Sequence, residues 1–339
     1  MNHADEFVLA SLAERLGPQH AKQRLAIEID YWAQILGLFR AAQWWPSEFL
    51  VETVFKLSGL YQRGRRNAAR LLLRRNELFF DNLPAPFDGF TILHISDLHV
   101  ELSAGAMQSM CEQLQRIRYD ICVVTGDFRA GYGPFQSTLE GVARIRESIR
   151  GPVYGVLGNH DTVRMVPGLE AMGIRMLLNE SEPIVCDGHT LFVVGIDDAH
   201  SYRAHNIEKA ISQIPEKAFS ILLSHTPEVY QQAAHAGFRL MLSGHTHGGQ
   251  ICLPGGIPIR LDAVLPRRMG SGAWNYEDMH GYTSVGAGTC IVPVRFNCPP
   301  EITLHVLRCS TDASRAHREY QPSETMVKEQ SRQSQKSPR

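Results

Sequence analysis

The sequence predicts an α/β fold in which two sheets pack face to face between flanking helices, with an added N-terminal helical segment. Three observations predict it. From about residue 90 to about 308, short apolar runs of strand length alternate with helical or loop segments. The runs are rich in β-branched residues, and most are bounded by glycine or proline, as buried strands are. Side chains of metal-ligand type follow directly on five of the runs, as expected where loops converge at the carboxyl edge of a sheet.

Residues 1–88 read as a helical cap or extension. Ile27, Tyr31, Ile35 and Leu38, then Phe49, Val54, Leu57 and Tyr61, recur at near-helical spacing. Trp44-Trp45-Pro46 breaks this zone and Pro84-Ala85-Pro86 ends it. Strands are predicted at 91–95, 121–125, 153–157, 191–196, 219–223 and 240–242. After Cys252 come Gly/Pro-rich loops and two further strand candidates, 290–294 and 301–307. The main domain therefore spans 89–309. Residues 310–339, rich in Ser, Gln, Lys and Arg, are predicted to form a disordered tail.

Composition narrows the function classes. The 339-residue chain is 44% hydrophobic and 20% charged with a net charge of -1, which suits a globular protein with a sizeable core. That balance gives no electrostatic reason to expect long nucleic acids as partners. Cysteines at 111, 122, 186, 252, 290, 298 and 309 make an odd set without a C-x-x-C pair. They read as buried reduced thiols of a cytoplasmic protein rather than as a disulfide framework or zinc ribbon. Residues 1–7 carry two acids and no secretory pattern, and no stretch approaches the roughly 18 apolar residues of a spanning helix.

The strongest signal is where the ligand-type residues fall. Ser96-Asp97-Leu98-His99 follows the first main-domain strand, Gly126-Asp127 the second, and Gly158-Asn159-His160-Asp161 the third. The fifth ends in Ser224-His225 and the sixth in Gly244-His245-Thr246-His247. Mixed imidazole and carboxylate donors suit Mn, Fe, Zn or Co, with Mn expected first, better than Ca or Mg. Asp97, His99, Asp127, Asn159, His225, His245 and His247 exceed what one tetrahedral ion needs. Two divalent ions are therefore expected, with one carboxylate bridging them. Two such ions roughly 3.5–4 Å apart hold a hydroxide and clamp the oxygens of an in-line phosphoryl displacement. The neutral amide of Asn159 limits negative charge where an anionic phosphate must enter. Glycines 126, 158 and 244 let the backbone turn sharply at the strand ends.

At these residues the sequence resembles the calcineurin-like metallophosphoesterase superfamily, whose blocks D-x-H, G-D, G-N-H-D/E, a lone H and G-H-x-H are all present in order. The resemblance covers most of 90–308 and implies a four-layer α/β/β/α sandwich. It assigns Asp97, His99 and His247 to one metal, Asn159, His225 and His245 to the other, and the bridge to Asp127. It places His160 beside the leaving-group oxygen as acid or transition-state stabiliser, with Asp161 fixing its tautomer. A closer similarity, to a bacterial phosphodiesterase branch, rests on Ser243-Gly244-His245-Thr246-His247-Gly248-Gly249-Gln250 and Leu223-Ser224-His225-Thr226-Pro227-Glu228. It also rests on Val294-Arg295-Phe296-Asn297 and Pro300-Glu301-Ile302. The chain departs from that branch in its longer helical N-terminus, and in Gly126-Asp127-Phe128-Arg129, where many relatives carry a further acid after the aspartate.

Other residues carry blander readings. His94, by strand alternation, faces away from Ile95 and reads as packing; His189, His200, His205, His235, His280 and His305 read as core or surface. Asp197-Asp198 reads as a turn or cap, and Arg295 either contacts phosphate or braces a loop through a carboxylate. The run from Arg63 to Arg75 holds six arginines and no acid. It reads first as a solvated helix face. The second reading is a peripheral contact with anionic membrane, helped by Trp44-Trp45 and Phe79-Phe80.

The expectation that results is a dinuclear metal-dependent phosphodiesterase acting on lipid-linked or other small phosphodiesters. The alternative is a pyrophosphate hydrolase acting on a lipid-linked nucleotide such as UDP-diacylglucosamine, and a nuclease ranks third. A non-catalytic metal-binding scaffold is the reading from another class, and the complete ligand set speaks against it.

Overall fold

The structure is a computed structural model, and it describes residues 3–41, 47–131 and 134–310. Trp44-Trp45-Pro46 and the expected tail beyond Ser310 lie outside the described residues. Four helices open the chain: α1 (His3–Leu16), α2 (Pro18–Ala41), α3 (Ser47–Leu57) and α4 (Tyr61–Ala68). Gly17, at φ 84°, ends α1 in the left-handed conformation that suits glycine, and Pro18 starts α2 with its φ already helical. Val8, Leu12 and Leu16, spaced by four, and then Ala21 and Leu25 turn one apolar stripe of this hairpin into the main core.

The helical reading of 1–88 fails at its end. Leu72–Phe80 is a strand, β1, paired in parallel with the last strand from Leu72↔Glu301 to Phe80↔Cys309. Alternation decides it: Leu78 and Phe80 are buried while Arg75 and Glu77 are exposed. The arginine run therefore spans α4, a turn and β1 rather than one helix face, and all six arginines are exposed. Phe80 packs edge-on against Phe219, with ring centroids 4.9 Å apart, and shares no surface with them.

The first sheet continues with β2 (Thr91–Ile95), β3 (Ile121–Thr125), β4 (Val153–Val156) and β5 (Ile174–Met176). Helices α5 (Ala104–Leu114), α6 (Gln136–Arg146) and α7 (Val166–Ala171) come between these strands or just before β5. The second sheet begins with β6 (Glu180–Cys186), β7 (His189–Gly195), β8 (Ser220–Leu223) and β9 (Leu240–Ser243), with the short α8 (Ile207–Ile211) and α9 (Tyr230–His235) between. A hairpin, β10 (Cys252–Leu253) and β11 (Ile257–Pro258), precedes β12 (Gly272–Tyr276) and β13 (Met279–Thr283). The chain then crosses back to the first sheet as β14 (Glu301–Cys309). Strand orders are β1-β14-β2-β3-β4-β5 and β12-β13-β9-β8-β7-β6.

Alternation along the strands builds the layers. Leu93, Ile95, Cys122 and Val124 face the helices, whereas Ile92, Ile121 and Val123 meet Val193, Ile221 and Leu242 of the second sheet. Leu222 and Met241 pack outward on α8 and α9 with Trp274 and Met279, which completes a four-layer α/β/β/α sandwich. Each fully buried Val, Leu or Ile contributes about 1.5–3 kcal/mol. The parallel registers Ile95↔Val124 and Leu223↔Leu242 end the strands level, so the loops after β2, β3, β4, β8 and β9 open on one edge.

The strand expected at 290–294 does not form. Ile291 sits at φ 63°, outside any ladder conformation, and the Gln250 amide takes up the backbone of Cys290 and the Val292 carbonyl instead.

Candidate metal centre

Asp97, His99, Asp127, His245 and His247 all adopt left-handed backbone, with φ between 40° and 71°. Such conformations cost about 1–3 kcal/mol each and persist where surrounding structure imposes them. The turns are enforced by close approach. A Cβ at Gly158 would strike the carboxylate of Asp127, and one at Gly244 would strike Ser96 and Asp97. Gly286 and Gly288 press on Asp97 and Leu98 in the same way from the loop after β13. Sequence reading did not mark that pair, because no ligand-type residue accompanies it.

Two groups of donor atoms result. Ligand atoms of Asp97, His99, Asp127 and His247 all lie within 4.8 Å of one another, and all four residues are buried. In the second group, His225 Nε2 is 2.9 Å from Asn159 Oδ1 and 3.2 Å from His245 Nδ1. Asp127 Oδ2 stands between them, 3.6 Å from His99 Nε2 and 3.4 Å from His225 Nε2.

Hydrogen bonds at the outer ring nitrogens set the tautomers. His99 Nδ1 donates to the Arg129 carbonyl and His225 Nδ1 to that of Thr125, each at 2.8 Å, which leaves both Nε2 lone pairs facing the centre. His99 Nε2 and His247 Nε2 are 3.1 Å apart, and the buried His245 Nε2 has no hydrogen-bond partner. Facing lone pairs at such a distance repel unless a proton or a cation lies near them. The residues therefore fit divalent cations.

Charge is heavily coupled here. Burial opposes ionisation of Asp127, but His225, His160 and His99 outweigh it and hold that carboxyl well below its usual range. Burial raises Asp97 despite His225. Burial opposes a charge on His225, but Asp127 and Asp97 outweigh it and push its pKa up to about 10. Without a metal its Nε2 therefore carries a proton in the place a cation would take.

His160 lies against the first group, its ring 5.4 Å from that of His99, and its backbone N–H donates to Asp127 Oδ1 at 2.9 Å. Asp161 does not take the expected place on the His160 ring. Its carboxylate turns inward and accepts from the backbone amides of Gly158, Phe128 and Arg129 at this turn. Arg295 braces loops, although through carbonyls rather than a carboxylate. Fully buried, it donates to Val285, Gly286, Gly288 and Cys298 behind His247. Asp198 accepts from the backbone of His200, Ser201 and Tyr202, forming the expected turn.

His200 was read as core or surface. Its ring centroid is 4.2 Å from that of His245, and its Nδ1 bonds Glu228 at 2.7 Å, which raises its pKa. Glu228 of the His-Thr-Pro-Glu block was the available signal.

The calcineurin-like phosphoesterase family profile matches residues 90–249. YpbG, a protein of Bacillus subtilis (strain 168), is 32% identical over 222 residues, 62% of this chain and 78% of that protein. The metallophosphoesterase YkoQ of the same organism is 29% identical over 236 residues, 66% and 86% of the two chains. Phosphodiesterase YaeI of Escherichia coli (strain K12) is 27% identical over 252 residues, 69% and 86% of the two chains. The chain belongs to the calcineurin-like metallophosphoesterase family. It is a metal-dependent hydrolase of phosphoric esters.

Proposed function

We propose that this hydrolase is a phosphodiesterase with a dinuclear metal site. The observation that carries the reading is Asp127 Oδ2 standing between two clusters of converging donor atoms, seven donors in all where one tetrahedral ion takes four. Asp97, His99 and His247 would hold one divalent ion and Asn159, His225 and His245 the other, with Asp127 shared; Mn is the first expectation, and Fe, Zn and Co suit the same donors. Bound, the ions supply Lewis acidity and lower the pKa of a coordinated water.

The chain's own groups do the rest. The Arg129 and Thr125 carbonyls hold His99 and His225 as Nε2 donors. Asn159 presents a neutral oxygen, so the anionic ester meets less negative charge. His160, next to Asp127 and partly exposed, delivers a proton to the departing oxygen. Asp161 fixes the turn that carries Asn159 and His160 and acts through position alone.

The similarity to a named phosphodiesterase supports diesters over monoesters as substrates. Among the described residues no helix is long and apolar enough to cross a membrane. Work on a cytoplasmic substrate, with peripheral contact through the exposed arginines between Arg63 and Arg75, belongs to the same proposal.

The test is hydrolysis of bis(p-nitrophenyl) phosphate by protein loaded with Mn²⁺. Turnover that chelation removes and Mn²⁺ restores is expected. Metal-loaded protein inert toward this diester but active on p-nitrophenyl phosphate refutes the diesterase reading.

A further inference from the structure

The metal centre opens on two sides of His160, and the two sides differ. One is a cavity of about 440 Å³ whose floor is Asp127, Asn159, His160, His245 and His247. Its walls are mainly aliphatic, with Val51, Ile251, Ile259, Ile291 and Val292 beside Gln250, Asp262 and Cys290. Among the described residues no Phe, Tyr or Trp lines it, and its only rings are the imidazoles at the metal centre, so its walls offer no aromatic face for a nucleobase. The other side, of about 700 Å³, shares Asn159 and His160 but is bounded by Tyr31, Glu101, Arg129, His200 and Ser201.

The apolar wall does not stop at the cavity. Ile259 and Ile291 are largely exposed at its mouth, as are Leu253 and Ile257, the facing residues of the β10–β11 hairpin. Val51 brings α3 to the same wall, and Phe55 of that helix stacks on Phe296 at 5.2 Å. Leu50, Val54 and Leu57, on one face of α3 by their spacing, are exposed as well. Arg260 lines the same cavity, paired with Asp262 at 3.2 Å at the rim. Gln250, Arg260 and Asp262 offer polar groups at the edge of the lining, but along Val51, Ile251, Ile259 and Val292 the hydroxyls of a sugar or nucleoside would find no partner. A flexible chain of methylenes loses nothing there and leaves water.

Resting on the phosphodiesterase reading, we infer that the substrate is an amphiphilic phosphoester whose acyl or alkyl chain lies in the cavity walled by Val51, Ile251 and Ile259, while its polar arm extends past His200 and Arg129. The aliphatic rim around the mouth receives the rest of the chain.

The test is a series of p-nitrophenyl alkyl phosphodiesters with methyl, butyl, hexyl and octyl chains, kept below micelle formation and assayed with Mn²⁺-loaded full-length protein. For the wild type, kcat/KM should rise about twofold to fourfold per added methylene over the first several carbons, as burial of methylenes predicts. Dissociation constants of alkylphosphonates, measured calorimetrically without turnover, should fall along the same series. In Val51→Glu, and separately in Ile259→Asp at the exposed mouth, the dependence on chain length should flatten; a slope compared within each variant is insensitive to the amount of folded protein. A flat wild-type series with the methyl ester hydrolysed overturns the acyl site and leaves the phosphodiesterase reading standing. Unchanged slopes in both variants overturn its location. No turnover on any member, the methyl ester included, overturns the phosphodiesterase reading and this inference with it.

Discussion

His160 tests the division of labour between metals and protein. It lies beside the donor set without belonging to it, so His160→Ala should lower kcat by about 10²–10⁴-fold, the usual contribution of a placed general acid. Metal content measured by elemental analysis should stay near wild type. Equal loss of metal and activity would make it a ligand instead. The two buried histidines between the sheets behave differently. His94 and His305 lie 3.4 Å apart with no carboxylate on them, and burial pushes His94 down to about 3 and His305 well below its usual value. In the unfolded chain both titrate near 6.5. Below that pH the unfolded state binds protons that the folded state refuses, so stability is full above about 6.5 and falls as pH drops toward 3. Urea melts should show wild type losing about 2 kcal/mol between pH 6 and pH 5 through these rings. The His94→Gln/His305→Gln double variant should lose correspondingly less, and parallel pH profiles would refute the assignment. His94 was legible as packing from alternation alone, whereas the role of Asp161 was not. Sequence adjacency suggested a partner for His160, and the unmet amides of the turn claimed the carboxylate instead.

The N-terminal helices are tied to the domain beside the site by several ion pairs, Asp5 to Arg164 and Arg15 to Glu170 and Glu180 among them, with Glu28 nearest the site. Glu28 of α2 accepts from the Thr162 hydroxyl, from Val163 N–H at 2.9 Å and from Arg164 at 3.0 Å, just past the loop that carries Asn159 and His160. Arg24 joins it, bonds Asp197 at 2.6 Å and lies 4.4 Å over the Tyr202 ring. Tyr202 in turn donates to the Asp161 carbonyl at 3.2 Å. Arg24 and Glu28 are each about 1% exposed, so removing one leaves the other's charge buried without its partner. Glu28→Ala should destabilise the protein by about 3–5 kcal/mol. Read as chemical denaturation, a loss under 1 kcal/mol would show that the helices merely rest on the domain. Nothing in the sequence announced this clamp. Helical periodicity from Ile27 onward marked the helical character of α2, but the stripe that packs is Val8, Leu12, Leu16, Ala21 and Leu25, while Ile27 is exposed. The pairing partners, moreover, lie more than 130 residues apart. The strand β1 was missed for a related reason. Its charged residues, Arg74, Arg75 and Glu77, masked a half-apolar alternation that only pairing with β14 makes favourable.

At the scale of the whole molecule, what could be read from the sequence follows from what repeats locally. Six strands of the main domain stand out because each is short and apolar, and five of them because a ligand-type residue follows directly. Strand order, the return of β14 to the first sheet and the second-sheet hairpin of β12 and β13 do not, because those depend on pairing between distant segments. The seven donors fall on one edge because two sheets end level and face each other there. The measurement that bears most directly on this account is the metal stoichiometry of the full chain after loading with Mn²⁺ and desalting, compared with Asp127→Ala. Because Asp127 lies between both donor groups, the account predicts about two ions per wild-type chain and a loss of both in the variant. A wild type that retains a single ion, or an Asp127→Ala protein that retains two, would contradict it.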